Sequence, residues 1–305
     1  YQSNGRIIPM SDTPVFNKVA ILGMGLIGSS IARALKKHGL AGSIVGGDGN
    51  QAVCDRAVQI GLAEAMTTDM AAAVAGADLV VMAVPVGACG AVASSMAPGL
   101  APGAIVTDVG SVKKSVLNDV AQHLPKGVQF IPGHPLAGTE HSGPDAGFAE
   151  LFEGRYWILT PEDDVDPAAV ERLKTILVTM GAQVETMTPE HHDRVLAITS
   201  HLPHLIAYTI VGTATDLAEE TKNEVIRYSA TGFRDFTRIA ASDPVMWRDV
   251  FLNNREAVLE ILQRFTEDLT ALQRAIRWGE GDVLEKRFTE TRAIRRGVLD
   301  AKQAD

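Results

Sequence analysis

Two cysteines in 305 residues, Cys54 and Cys89, cannot build a disulfide framework, and they lack the CxxC spacing of a redox or zinc motif. A reducing, cytoplasmic setting is expected. Long hydrophobic runs are missing as well. The longest, Leu79–Ala93, contains Pro85, Gly87 and Gly90 and falls short of the about 20 residues that a membrane helix needs. No membrane partner is expected. Positive charge is not in excess either. A net charge of −9 disfavours nucleic acid and anionic membranes, which select basic surfaces. The first nine residues, YQSNGRIIP, begin without Met and show no signal-peptide pattern. They are left out of the fold reading, with Met10 as the expected native start.

What is present reads as an ordinary soluble chain, 46% hydrophobic and 21% charged, long enough for two cores. Short apolar strands alternate with helical patterns. Val19–Leu22 is followed by a helix over Gly25–His38, Ser43–Asp48 by a helix over Gln51–Ile60. Ala77–Val84 is a largely continuous apolar run, as in a strand buried on both faces. Ala104–Thr107, Gly127–Pro132, Arg155–Thr160 and Ala182–Met187 continue the series. This alternation predicts an α/β, Rossmann-type, doubly wound and mostly parallel sheet. It stops at Thr188. TPEHHDRV there is a helix start, with Thr188 as N-cap and Pro189 at the first helical position. Helical periodicity runs to about Asn223 and resumes over Pro244–Gly279 and Gly281–Ala304, so the domains are expected to be 1–187 and an all-α 188–305.

Gly23-Met-Gly25-Leu26-Ile27-Gly28 follows the first strand directly and opens a helix. In that context each glycine has its own role, in a tight turn, in close approach of backbone to a pyrophosphate, and in close helix–strand packing. The helix start at Leu26 and Ile27 offers N–H groups to phosphate. Asp48, ending the second strand, can accept hydrogen bonds from an adenosine ribose and would repel a 2′-phosphate. NAD is therefore expected, with NADP not excluded; the next cation is Arg56. Val84-Pro85, TDVGS (Thr107–Ser111) and GHPLAGTEHSG (133–143) each end a strand at one sheet edge. In doubly wound sheets ligands lie beyond such ends. Ser111, His134, Thr139 and Glu140 are therefore expected to line a crevice.

The helical part holds two further clusters. In Ser200-His201-Leu-Pro203-His204 the two histidines share a helix face, and Pro203 should kink the helix against the carbonyl of Thr199. A binding site, buried hydrogen-bonded core histidines and a metal site all remain open. For the metal a third ligand would have to be invented, so none is assigned. His191 and His192, in the first turn, read as an exposed pair. GFRDFTRIAASDPVMWRD (232–249) carries Arg234, Asp235, Arg238, Asp243 and Arg248. It reads equally as a charged connection or as an arginine clamp for a carboxylate.

Taken together, GMGLIGSS, VTDVGSVK, GHPLAGTEHSG, SHLPH and GFRDFTRIAASDPVMWRD resemble the prephenate/arogenate (cyclohexadienyl) dehydrogenases of tyrosine biosynthesis, from about residue 17 to 300. The resemblance implies oxidative decarboxylation of prephenate or arogenate with hydride transfer to NAD(P), giving 4-hydroxyphenylpyruvate or tyrosine. It implies that His134 takes the substrate hydroxyl's proton and that Ser111 holds His134 or that hydroxyl. Arg238 would bind a substrate carboxylate, with His204 helping at the other end. Ser200 and His201 would line the pocket, Thr139 and Glu140 its mouth, and Asp235 would orient a cation. It also implies that the helical domain makes a homodimer, and it allows tyrosine inhibition at the active site. The alternative is another two-domain NAD(P)-dependent dehydrogenase, of the 3-hydroxyacid or 6-phosphogluconate type, with Lys222 as its candidate catalytic lysine, followed by Asn223 but lacking that family's wider motif.

Overall fold

A computed structural model describes residues 14–139, 141–216, 224, 227, 228 and 230–300. Six parallel strands form the main sheet in the order β3-β2-β1-β4-β5-β6: β1 Phe16–Leu22, β2 Ala41–Gly47, β3 Ala65–Thr67, β4 Leu79–Met82, β5 Ile105–Asp108 and β6 Gln129–Phe130. All four residues of β4 are buried, as the apolar stretch there predicts. The helix α1, Leu26–Lys37, turns Ile31, Ala32, Ala34 and Leu35 onto the sheet. Both cysteines are buried, and burial pushes the Cys89 thiol up to about 12, far from reactive thiolate.

The remaining strands form a separate sheet of three. Gly133–Pro135 (β7) runs antiparallel to Tyr156–Leu159 (β8), which runs parallel to Gln183–Thr186 (β9). One continuous sheet was expected. The expected strand Gly127–Pro132 instead pairs only through β6, and the chain turns at Pro132 so that His134 sits on a strand of the second sheet.

A buried ion pair fixes that turn. Lys113 and Asp108 have fully buried side chains and bond through Nζ and Oδ2. Asp108 Oδ1 accepts the N–H of Gly133 at 3.1 Å, and Lys113 Nζ donates to the Gly133 carbonyl at 2.5 Å. Asp108 Oδ2 also accepts the Gly110 N–H at 2.7 Å. The pair thus clamps both backbone groups of Gly133 to the end of β5. A side chain at Gly133 would lie 2.9 Å from Trp157 Nε1 and 3.0 Å from the Asp108 carbonyl, so only glycine fits.

The chain divides into two compact units, one of residues to His192 with Pro244–Asn253, the other of Asp193–Asp243 with residues from Asn254. The helix Pro189–Leu196 starts as expected: Thr188 Oγ1 accepts the His191 N–H at 3.2 Å. Where a kink at Pro203 is expected, the helical winding changes. Ala197–His201 forms a single π turn before the helix Leu202–Thr215, with Pro203 in the first turn of that helix. The wider turn relieves the clash that a proline imposes on the carbonyl four residues back. Pro189–Ala214, taken as one run, has the length and hydropathy of a membrane-crossing helix, where the sequence led us to expect none. It also buries His192, Asp193 and His201, groups that favour a protein interior over lipid. Helices Arg255–Trp278 and Gly281–Asp300 follow, the first ending on Gly279 in the left-handed conformation.

Removing one partner of a buried pair strands the other charge. Lys113→Met should therefore cost about 3–5 kcal/mol in urea unfolding. An unchanged midpoint would contradict the clamp.

Candidate active site

The Gly-rich turn is built as its glycines require. Gly23 has φ +89°, and a Cβ there would lie 2.4 Å from the Ala83 carbonyl; one at Gly28 would lie 2.0 Å from the Gly23 carbonyl. Gly25 differs, because a Cβ there would meet no protein atom within 4 Å. Its missing side chain leaves open space beside the N-terminus of α1, where no side chain caps the helix. Free N–H groups at Leu26 and Ile27, a positive dipole end and room for close approach fit a pyrophosphate. Asp48 Oδ2 accepts the Met24 N–H at 3.0 Å and Oδ1 accepts that of Asn50 at 2.9 Å. The carboxylate thus braces the turn and keeps further lone pairs for a ligand hydroxyl. Arg56 is taken up by Asp145, with Nε–Oδ2 at 3.0 Å and Nη2–Oδ1 at 2.6 Å, which holds the Asp145 carboxyl below its ordinary range.

Val84 Cγ1 lies 3.0 Å from the Cβ position of Gly23, so the end of β4 borders the same turn, with Pro85 exposed beyond it. A short turn, Val86–Ala88, follows, and Asp249 of the helix Pro244–Asn253 abuts Gly87: a Cβ there would be 2.8 Å from Asp249 Oδ2. The segment after β7 docks on α1, where the Phe148 N–H donates to Ser30 Oγ at 3.1 Å.

His134 is buried on β7, and its Nδ1 lies 2.8 Å from Nε2 of His192. The rings meet edge to face, centroids 5.1 Å apart at 66°. His192 is fully buried, which corrects the expectation of an exposed pair. Consecutive helical residues differ by about 100° around the axis, so His191 faces out and His192 in. Ser111, half-buried, follows β5 three residues after Asp108, whose carboxylate holds Gly133. The clamp thus brings the segments of Ser111 and His134 together. Thr139 is exposed and accepts the His141 N–H at 3.3 Å; Glu140 lies outside the described residues.

In the second unit His201 is fully buried on the π turn. Asn254 Nδ2 donates to the Asp193 carbonyl at 2.9 Å and lies 3.0 Å from His201 Nδ1. A carbonyl only accepts, so the amide nitrogen faces the imidazole and His201 Nδ1 is the acceptor. His204 Nδ1 donates to the Ser200 carbonyl at 2.9 Å, which leaves Nε2 as acceptor, and burial pushes this imidazole below its ordinary value of 6.5. Ser200 is half-buried. Arg238 and Asp235 are exposed on the helix Thr231–Thr237 and the turn Arg238–Ala241. Tyr208, one turn beyond His204, donates to the Ser242 carbonyl at 2.8 Å and so holds that turn against the helix Leu202–Thr215. Among the described residues no cluster of three His, Cys, Asp or Glu could hold a metal. Lys222 and Asn223 lie outside the described residues.

Four residues went without a role in the sequence: Asp108, Lys113, His192 and Asn254. The first two stand inside VTDVGSVK, where two ionisable residues flanking a Gly-Ser turn were the available signal.

This sheet order, the Gly-rich turn and the buried histidine of β7 mark a nucleotide-binding oxidoreductase fold. Residues 31–186 match the family model described as prephenate dehydrogenase, nucleotide-binding domain, and residues 188–290 that of the prephenate dehydrogenase dimerization domain. The chain belongs to the prephenate dehydrogenase family. It is 44% identical to the cyclohexadienyl dehydrogenase of Zymomonas mobilis, across 92% of this chain and 96% of that one. Among solved structures it resembles the prephenate dehydrogenase from A. aeolicus in complex with hydroxyphenyl propionate and NAD+ (TM-score 0.86, 35% identity, 92% of this chain and 98% of that one). It also resembles the Synechocystis arogenate dehydrogenase (TM-score 0.80, 28% identity, 92% and 99%).

The two glycines should separate binding from folding. Gly25→Ala should fold with unchanged thermal stability yet bind NAD at least about tenfold more weakly, a loss of about 1.4 kcal/mol. Gly28→Ala should be destabilised by about 1–3 kcal/mol through overpacking. Calorimetry and thermal melts read both; wild-type NAD affinity in Gly25→Ala would contradict the cradle.

Proposed function

We propose that the protein oxidatively decarboxylates prephenate, arogenate or both, with NAD as hydride acceptor. The observation that supports this reading is the buried His134 on β7, next to Gly133, whose backbone the Asp108–Lys113 pair clamps to the end of β5. The nicotinamide, when bound, supplies the two-electron acceptor for the hydride on the hydroxyl-bearing ring carbon. His134 accepts the hydroxyl proton as the ring carbon becomes a carbonyl. An imidazole, with its ordinary value near 6.5, suits that step, which general-base catalysis accelerates by about 10²–10⁴-fold. Loss of carbon dioxide from the opposite carbon then aromatises the ring. The product is a phenol, so the proton must return from His134 to the phenolic oxygen. No net proton is lost, and a base of moderate strength serves both steps.

Ser111 steadies His134 or the substrate hydroxyl. Arg238 clamps a substrate carboxylate through its planar fork of donors, Asp235 orients a neighbouring cation, and His204 hydrogen-bonds the other end. Ser200 and His201 line the pocket, with Thr139 and Glu140 at its mouth. The dinucleotide is held by Gly23, Gly25, Leu26, Ile27 and Gly28, with Asp48 on the ribose and Val84 and Pro85 alongside. NAD over NADP is supported by the Asp48 carboxylate and by the engagement of Arg56 with Asp145, which occupies the nearest downstream cation. Residues from 188 onward make a homodimer. Leu269, Ile276, Phe288 and Ile294 are all more than half exposed on the last two helices, an apolar surface suited to a second copy. Tyrosine, shaped like the product, competes at the same site. The setting is cytoplasmic.

Nicotinamide absorbance, with each substrate tested against each cofactor, should show turnover with NAD and at least about tenfold less with NADP, the rate equivalent of about 1.4 kcal/mol. Binding of NAD without turnover of either substrate would refute the reading.

A further inference from the structure

We propose that His192 is the positioning residue that sets the tautomer of His134. The inference rests on the reading of His134 as proton acceptor. Its own ground is the 2.8 Å contact between His134 Nδ1 and Nε2 of a fully buried His192. Two nitrogens at that distance share one hydrogen. If it belongs to His134 Nδ1, the Nε2 of His134 carries a lone pair and can take a proton. If it belongs to His192, His134 is an Nε2–H donor and cannot. The former arrangement makes His192 the acceptor, and it keeps accepting, with charge assistance, when His134 becomes imidazolium.

The kind of partner matters. A carboxylate in this place would add a negative charge and hold the proton on His134 strongly. An imidazole orients without that charge, so His134 can accept the hydroxyl proton and still return it to the phenolic oxygen. The charged groups nearest along the chain and at the clamp are Asp108 and Lys113, which bond to each other and to the Gly133 backbone, and Asp193, the buried residue that follows His192. The His191 ring is on the exposed side of the helix Pro189–Leu196.

The test is steady-state kinetics on the full chain with NAD and prephenate or arogenate. His192→Leu keeps the bulk and removes the acceptor. Its kcat should fall about 10–100-fold, part of the general-base contribution, with KM within about threefold and NAD affinity unchanged. The acid limb of its pH–kcat/KM profile should move. His192→Gln, which can place an oxygen near the position of Nε2, should recover most of the rate. Wild-type kcat and pH profile in folded His192→Leu would overturn the proposal. If His134→Asn also keeps full turnover, the assignment of His134 has failed, and that outcome is distinguishable from a failure of His192 alone. Should His192→Leu not fold, ¹⁵N-histidine NMR of the wild type decides. A protonated Nδ1 with bare Nε2 on His134 supports the proposal, and the reverse overturns it.

Discussion

The site depends on one buried ion pair. Lys113 and Asp108 are fully enclosed, and two charges in a protein interior need further hydrogen bonds beyond their own contact. Here the Gly110 N–H and both backbone groups of Gly133 supply three of them. The consequence is geometric. The end of a strand in the large sheet is fastened to the first residue of a strand in the small one, and His134 is the next residue along. A hydrophobic clamp of the same volume could pack as well, but it could not fix the direction of two backbone groups. The cost of burying charge is offset by orientation at the residue that needs it.

The same sharing of parts governs the dinucleotide turn. Asp48 braces the turn through two backbone N–H groups before any ligand arrives. Gly23 and Gly28 are glycines because protein occupies the place of their side chains; Gly25 is one because protein does not. A preformed cradle spares the ligand the cost of ordering the loop.

Much of this was legible in the sequence, for reasons that differ by residue. The Gly-rich turn and its strand could be read because a tight turn and a phosphate cradle need glycine at fixed offsets. Thr188 and Pro189 could be read because a helix start has unsatisfied donors that only a few residue types meet. Strands β8 and β9 could be read as well, but not their separation into a second sheet: β7 is three residues long, and nothing in its periodicity separates it from the loop that follows. The clamp escaped because Asp108 and Lys113 bond across a turn, outside any helical or strand period. His192 escaped for a related reason. A pair of histidines in a first helical turn looks solvated, and which of the two faces inward depends on where the helix docks. The proline of SHLPH does mark a distortion, yet the π turn that accommodates it has no sequence rule of its own.

In the proposed reaction the Gly133 clamp presents His134 to the reacting hydroxyl. The decisive measurement is a crystal structure with NAD and a phenolic product analogue. The phenolic oxygen should lie within about 2.6–3.2 Å of His134 Nε2, hydrogen-bond reach for a proton acceptor, with Nδ1 still on His192. A phenolic oxygen bonded to another group, with His134 Nε2 turned away from the ring, would contradict the account.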